Sequence, residues 1–181
     1  GAEDGLHLPV RYKKLLQCFT HIFVQDTSSF ELLQTHGIHR VSIAGDTRFD
    51  RVATIAASPT QLPIIESFKQ DKKLLVLGSS WEPDGALLIP FVEKNDCKLI
   101  IAPHQIHTER IQSLLAKLSM PTTLYTQTTA EDVKHANCLV INTIGILSSV
   151  YRYADVAYIG GGFGVGIHNI LEVAVFGVPV L

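Results

Sequence analysis

Apolar and polar positions follow a rhythm that becomes regular from Lys72 onward. Short runs of apolar residues recur at 73–77, 98–102, 123–125, 138–141, 156–159 and 178–181. The stretches between them, 83–94, 107–118, 144–153 and 169–176, space their apolar residues as helices do. Near-continuous apolar strands alternating with helices predict a parallel sheet covered by helices on both faces. The earlier part is less regular. It reads as a short helix over 11–19, a strand over 21–24, a helix with a Ser28/Glu31 capping-box spacing that stops at Gly37, and a strand over 41–44. A helical 49–57 follows, and Ser58-Pro59 and Pro63 then break the chain. This change of rhythm places a domain boundary near Gly45. Residues 1–45 are expected to end one domain, 46–71 to connect, and 72–181 to form most of a second.

Composition narrows the function classes. Across 181 residues the formal net charge is −2, without the basic excess of a nucleic-acid binder. No apolar run approaches the roughly 18 residues of a membrane span, and no signal-peptide pattern opens the chain. Cys18, Cys97 and Cys138 lack C-x-x-C spacing and read as buried thiols of a reducing compartment. The chain stops inside an apolar run, so the expectation is a soluble fragment of a larger protein.

In parallel sheets ligands sit beyond the carboxyl ends of strands. The loops to inspect are therefore 78–84, 103–107, 142–145 and 160–168. The last is the most distinctive: five glycines fall within seven positions, Gly160 to Gly166, before His168-Asn169-Ile170-Leu171-Glu172. Glycines admit positive φ and close approach of a ligand to the main chain, and a helix start behind them offers unpaired N–H groups to a phosphate. Glu172, one turn in, is placed either to accept ribose hydroxyls or to close a capping box with Asn169. No lysine follows the last glycine, so the loop is not a P-loop, and its spacing is not G-x-G-x-x-G.

The other loops allow two readings each. Ser79 and Ser80 offer hydroxyls to a phosphate or sugar, yet Ser80 also suits a cap for the helix entered at Pro83. His104 reads as a donor to phosphate or base and His107 as a surface histidine; the pair lacks a third metal ligand at suitable spacing. Gly145 lets backbone meet a ligand, with Asn142 or Thr143 as an ordinary cap. Gly45-Asp46-Thr47-Arg48 is a polar turn that reads equally as a surface ion-pair cluster. No Ser-His-Asp or Cys-His arrangement is legible.

Taken together, Gly45 to Arg51, Gly78-Ser79-Ser80, Pro103-His104, Ala154 to Gly162 and His168-Asn169-Ile170-Leu171-Glu172 resemble the 3-deoxy-D-manno-octulosonic acid (Kdo) transferases. The resemblance implies a GT-B architecture, two Rossmann-like domains facing a cleft. It implies transfer of Kdo from CMP-Kdo to the lipid A precursor (lipid IVA) in lipopolysaccharide biosynthesis. The setting implied is the cytoplasmic face of the inner membrane of Gram-negative bacteria, with no metal and no cofactor. The family's donor contacts fall on Pro103 and His104, on Ile144-Gly145-Ile146, and on Asn169-Ile170-Leu171-Glu172, with Gly162 and His168 in the glycine segment. The catalytic base and the membrane contact belong to an amino-terminal domain outside this chain, so the fragment alone is expected to be inactive. Three positions depart from the pattern. Ala102-Pro103-His104 replaces Pro-Arg-His, Ile146 stands at an often acidic position, and Ile167 replaces a glycine. Two rival readings stay open: a GT-B enzyme using a UDP-sugar (transferase or 2-epimerase), and a non-catalytic nucleotide-binding domain.

Overall fold

The computed structural model describes residues 9–57, 60–161 and 170–181. The chain divides into two compact units after Arg51, inside helix α3 (Thr47–Ala57).

The first unit holds α1 (Val10–Leu16), β1 (Ile22–Val24), α2 (Thr27–Thr35) and β2 (Val41–Ile43), with β1 and β2 paired in parallel. Leu33, Ile38 and Val41 form its small core, with Leu16, Ile22, Val24 and Phe30 against them. The cap of α2 differs from the Ser28/Glu31 expectation. Asp26 is the N-cap, its carboxylate accepting from the Ser29 N–H at 2.7 Å and from the Ser28 hydroxyl at 2.7 Å. A carboxylate attracts the exposed N–H groups more strongly than a hydroxyl does, so the helix starts two residues earlier. The Asp46 turn is an ion pair: Asp46 takes Arg48 at 2.6 Å, and the Arg48 side chain holds the Asp46 carboxyl down to about 2.

The second unit is a five-stranded parallel sheet in the order β5-β6-β4-β3-β7. Its strands are β3 (Lys73–Ser80), β4 (Cys97–Pro103), β5 (Thr122–Leu124), β6 (Cys138–Val140) and β7 (Val156–Ile159). Side chains alternate between two cores. Leu75, Leu77, Leu99, Ile101, Cys138 and Val140 meet Leu88, Ile89 and Val92 of α5 (Glu82–Lys94) and Ile111 of α6 (Thr108–Leu115). Leu74, Val76, Ile100, Leu139, Ala157 and Ile159 face the other way. They meet Ile65 and Phe68 of α4 (Pro63–Lys69), Val150 of α7 (Leu147–Val150), Tyr151, and Val173 of α8 (Leu171–Ala174). Helices thus cover both faces, as the alternation predicts, in keeping with the Rossmann-like domain that the resemblance implies.

Several elements are shorter than the pattern predicts. The predicted helix over 169–176 is α8, four residues long, tightening into turns before Gly177 at φ +69°. The predicted helix over 144–153 is α7 plus a 3-10 turn, Tyr151–Tyr153. The last predicted strand is a single parallel bridge, Ala157 to Val180. Helix α4, entered at Pro63, occupies a region that reads as broken by its prolines; Pro at the first helical turn starts a helix and interrupts none. The expectation of buried thiols holds for Cys138 and partly for Cys97, whereas Cys18 is exposed.

Candidate functional site

Strand order locates the crevice. From β3 the chain moves one way, through α5 to β4. From β7, the neighbour of β3 on its other side, it moves outward through α8 to Val180. Connections that leave adjacent strands in opposite directions open a gap beyond their carboxyl ends, the usual ligand position in such sheets. The segments bordering it are those after β3 and β7.

After β3 the backbone is irregular. Its register with β4 shifts between Leu77 and Ser80, and Ser79 lies at φ +50°, a left-handed conformation unfavourable to a non-glycine residue. Ser80 is buried and its hydroxyl sits 3.5 Å from the Ala102 carbonyl, so it caps no helix; Trp81 is the N-cap of α5. The Ser80 carbonyl accepts the His104 N–H at 3.0 Å, and the Trp81 and His104 rings stack with centroids 4.6 Å apart. Thus Ser80, Pro103 and His104 stand together, with Pro103 half-buried and His104 exposed. Glu82 is drawn away into ion pairs with Lys117 and, at 3.6 Å, Arg110. These residues rim a cavity of about 460 Å³ between α5 and α6.

On the opposite face, Glu172 meets α7, the helical turn that follows the loop after β6. The Ser148 hydroxyl donates to Glu172 Oε2 at 2.6 Å, and both side chains are half-buried. Ser148 follows Ile144-Gly145-Ile146 in the chain, where Ile144 is exposed and Gly145 takes φ +96°. Asn142 caps nothing here; it is engaged with Thr126 through both ends of its amide, at 3.1 and 2.7 Å. Ile170 is exposed and Leu171 half-buried. Gly162, His168 and Asn169 lie outside the described residues.

Tyr151, which sequence reasoning missed, connects the two groups. It is 2% exposed, and its hydroxyl packs on Gly78 where a Cβ would overlap it. Burial, and after it the charge of Glu172, push its phenol above the usual range. Tyr151 thus packs on Gly78 within the field of the Glu172 charge, and from Gly78 the backbone leads on to Ser79 and Ser80, whose carbonyl holds the His104 N–H. Among the described residues no group of three His, Cys, Asp or Glu is placed to hold a metal ion. No described helix is long and apolar enough to cross a membrane.

No family model matches the chain. It is 32% identical over 117 residues to a 3-deoxy-D-manno-octulosonic acid transferase of Chlamydophila psittaci, covering 62% of this chain and 27% of that protein. A protein of the same name from Rickettsia typhi is 23% identical over 172 residues, 91% of this chain and 37% of the relative. One from Chlamydia pneumoniae is 25% identical over 156 residues, 79% and 34% respectively. The chain thus spans about a third of the length of these curated relatives. Among solved structures, the C-terminal CMP-Kdo binding domain of WaaA from Acinetobacter baumannii superposes with a TM-score of 0.55 at 17% identity. That match covers 73% of this chain and 68% of that one, and it shows a shared fold.

Proposed function

We propose that this chain, a member of the Kdo transferase family, carries the nucleotide-gripping part of a GT-B glycosyltransferase that moves Kdo from CMP-Kdo to the lipid A precursor. In this reading residues 72–181 belong to the donor domain, 46–71 connect, and 1–45 close an acceptor domain. The rest of the enzyme supplies the base and the contact with the cytoplasmic face of the inner membrane.

The observation that carries the reading is the Ser148–Glu172 hydrogen bond at the switch-point side of the sheet. A carboxylate accepts hydrogen bonds in several directions, so the bond from Ser148 orients a group of the kind that takes the two ribose hydroxyls of a cytidylate. Gly145, with its positive φ and no side chain, lets the 144–146 backbone approach the base. His104 stands at the phosphate end, and the glycine segment with His168 and Asn169 is assigned to the phosphate as well. Transfer leaves CMP as the departing group. Donors placed around its phosphate stabilise the charge that develops as the bond to Kdo breaks.

Calorimetric titration of the full-length enzyme with CMP tests this. Binding is expected, with UDP competing poorly; no heat at millimolar CMP removes the nucleotide assignment, and equal competition by UDP moves it to a UDP-sugar enzyme. Glu172→Ala is expected to weaken CMP by roughly ten- to hundredfold, the loss of charged hydrogen bonds worth about 1.5–3 kcal/mol. An unchanged affinity with the fold intact would reduce Glu172 to the partner of Ser148.

A further inference from the structure

Asp84 is 1% exposed, and nothing in the donor reading uses it. Its Oδ2 accepts the Trp81 N–H at 2.7 Å, the bond of a helix cap. Its Oδ1 lies 3.3 Å from the Tyr158 hydroxyl, which donates to it from β7. Gly160, two residues on, presses against the same carboxylate. A Cβ there would stand 2.5 Å from the Ser79 carbonyl oxygen, 2.6 Å from Asp84 Oδ2 and 2.8 Å from Ser80 Cα. The Gly160 N–H donates to the Gly78 carbonyl at 2.8 Å. Burial and then the Asp84 charge push the Tyr158 phenol up.

A carboxylate that only caps a helix forms its bond at the surface, where it remains hydrated. Burying it costs several kcal/mol unless other partners are gained. Here the partner gained is the Tyr158 hydroxyl of β7, with Gly160 packed close beside the carboxylate, while the cap bond holds the chain leaving β3. Those two segments border the crevice at the switch point.

We propose that Asp84 is a positioning residue of the donor site: its carboxylate locks residues 158–161 onto the 79–81 turn and so fixes the edge of the crevice between β3 and β7. The functional half of this statement rests on the CMP reading above; the clamp itself concerns only the position of the chain.

The test uses the full-length protein and Asp84→Asn, which keeps the volume and an acceptor for Trp81 while removing the charge. Amide hydrogens at 158–161 are expected to exchange at least tenfold faster, with those of β4 unchanged. The Kd for CMP is expected to rise about tenfold, and the KM for the sugar donor to rise while that for the acceptor stays. Tyr158→Phe, which deletes one partner hydroxyl, should shift the same amides by less; it decides the matter should Asp84→Asn fail to fold. Unchanged exchange at 158–161, or acceleration spread equally to β4, overturns the clamp. Faster exchange with CMP affinity within twofold of wild type overturns the positioning role. If wild type binds no CMP, the nucleotide reading falls, and the exchange pattern alone still judges the clamp.

Discussion

Replacing Gly78 by alanine puts a methyl group where the Tyr151 hydroxyl sits, 2.8 Å from its Cζ and 3.2 Å from its Cε1. Gly78 does not take positive φ, so the backbone accepts alanine and the cost arises from space alone. Ordinary carbon contacts begin near 3.4 Å, so the buried ring must retreat by roughly half an ångström at Cζ and by more at the hydroxyl. Overpacking of this kind costs about 1–3 kcal/mol, and the paired strand β7 at Ile159 leaves the main chain little room to yield. We expect about 3 kcal/mol, which lowers Tm by roughly 6–12 °C in a domain of this size. Tyr151→Phe removes the overlapping oxygen but leaves Cζ too close. The double variant should therefore recover about half of the loss, with a coupling energy above about 1 kcal/mol. Urea unfolding of wild type, both single variants and the double variant measures the cycle. A Gly78→Ala loss under about 0.5 kcal/mol, or simple additivity of the two changes, would refute the placement of Tyr151 against Gly78.

Ser148→Ala should weaken CMP by about 2- to 10-fold through loss of one hydrogen bond, and should add little in a Glu172→Ala background; full additivity would show that the two act separately. Asp155 gives a pH prediction. Burial raises its carboxyl, but Lys69 at 2.9 Å, the Leu74 N–H at 2.9 Å and Lys73 at 3.1 Å together outweigh this and bring it down to about 2. Its folded value lies below the unfolded one, so its contribution is complete above about pH 5 and is lost as pH falls from about 4 towards 2. Allowing for solvent screening, Asp155→Asn should remove about 1–2 kcal/mol at pH 7 and flatten the acid limb of an unfolding curve. An acid limb identical to wild type would contradict it. Burial pushes the Cys138 thiol up to about 12, so a thiol reagent at neutral pH should label exposed Cys18 at once and Cys138 only after denaturation.

What could be read from the chain was whatever depends on local pattern. The continuous run Leu74, Leu75, Val76 and Leu77 is enough to predict a strand buried on both sides, and five more apolar runs separated by helical stretches predict a parallel sheet. Local pattern also nominated Ser80, His104, Gly145 and Glu172, because serine, histidine, glycine and glutamate at strand ends carry chemistry whatever their neighbours are. It overestimated helices near the crevice, since α7 and α8 are each a single turn fixed by Val150 and Val173 in the core. It could not find Tyr151 or Asp84. A tyrosine inside a helical stretch and an aspartate in the first turn of a helix have ordinary local explanations. Their importance lies in contacts to Gly78 and Gly160, which are 73 and 76 positions away. The same topology gives those two glycines a role that composition hid. They stand side by side at the ends of β3 and β7, where Gly160 bonds to the Gly78 carbonyl, and one admits Tyr151 from one face while the other admits Asp84. A crevice bounded by two strands needs both ends held from both faces, and side chains at either position would exclude the group that holds it. The missing side chains at 78 and 160 are thus as specific a requirement of the candidate site as Glu172 itself.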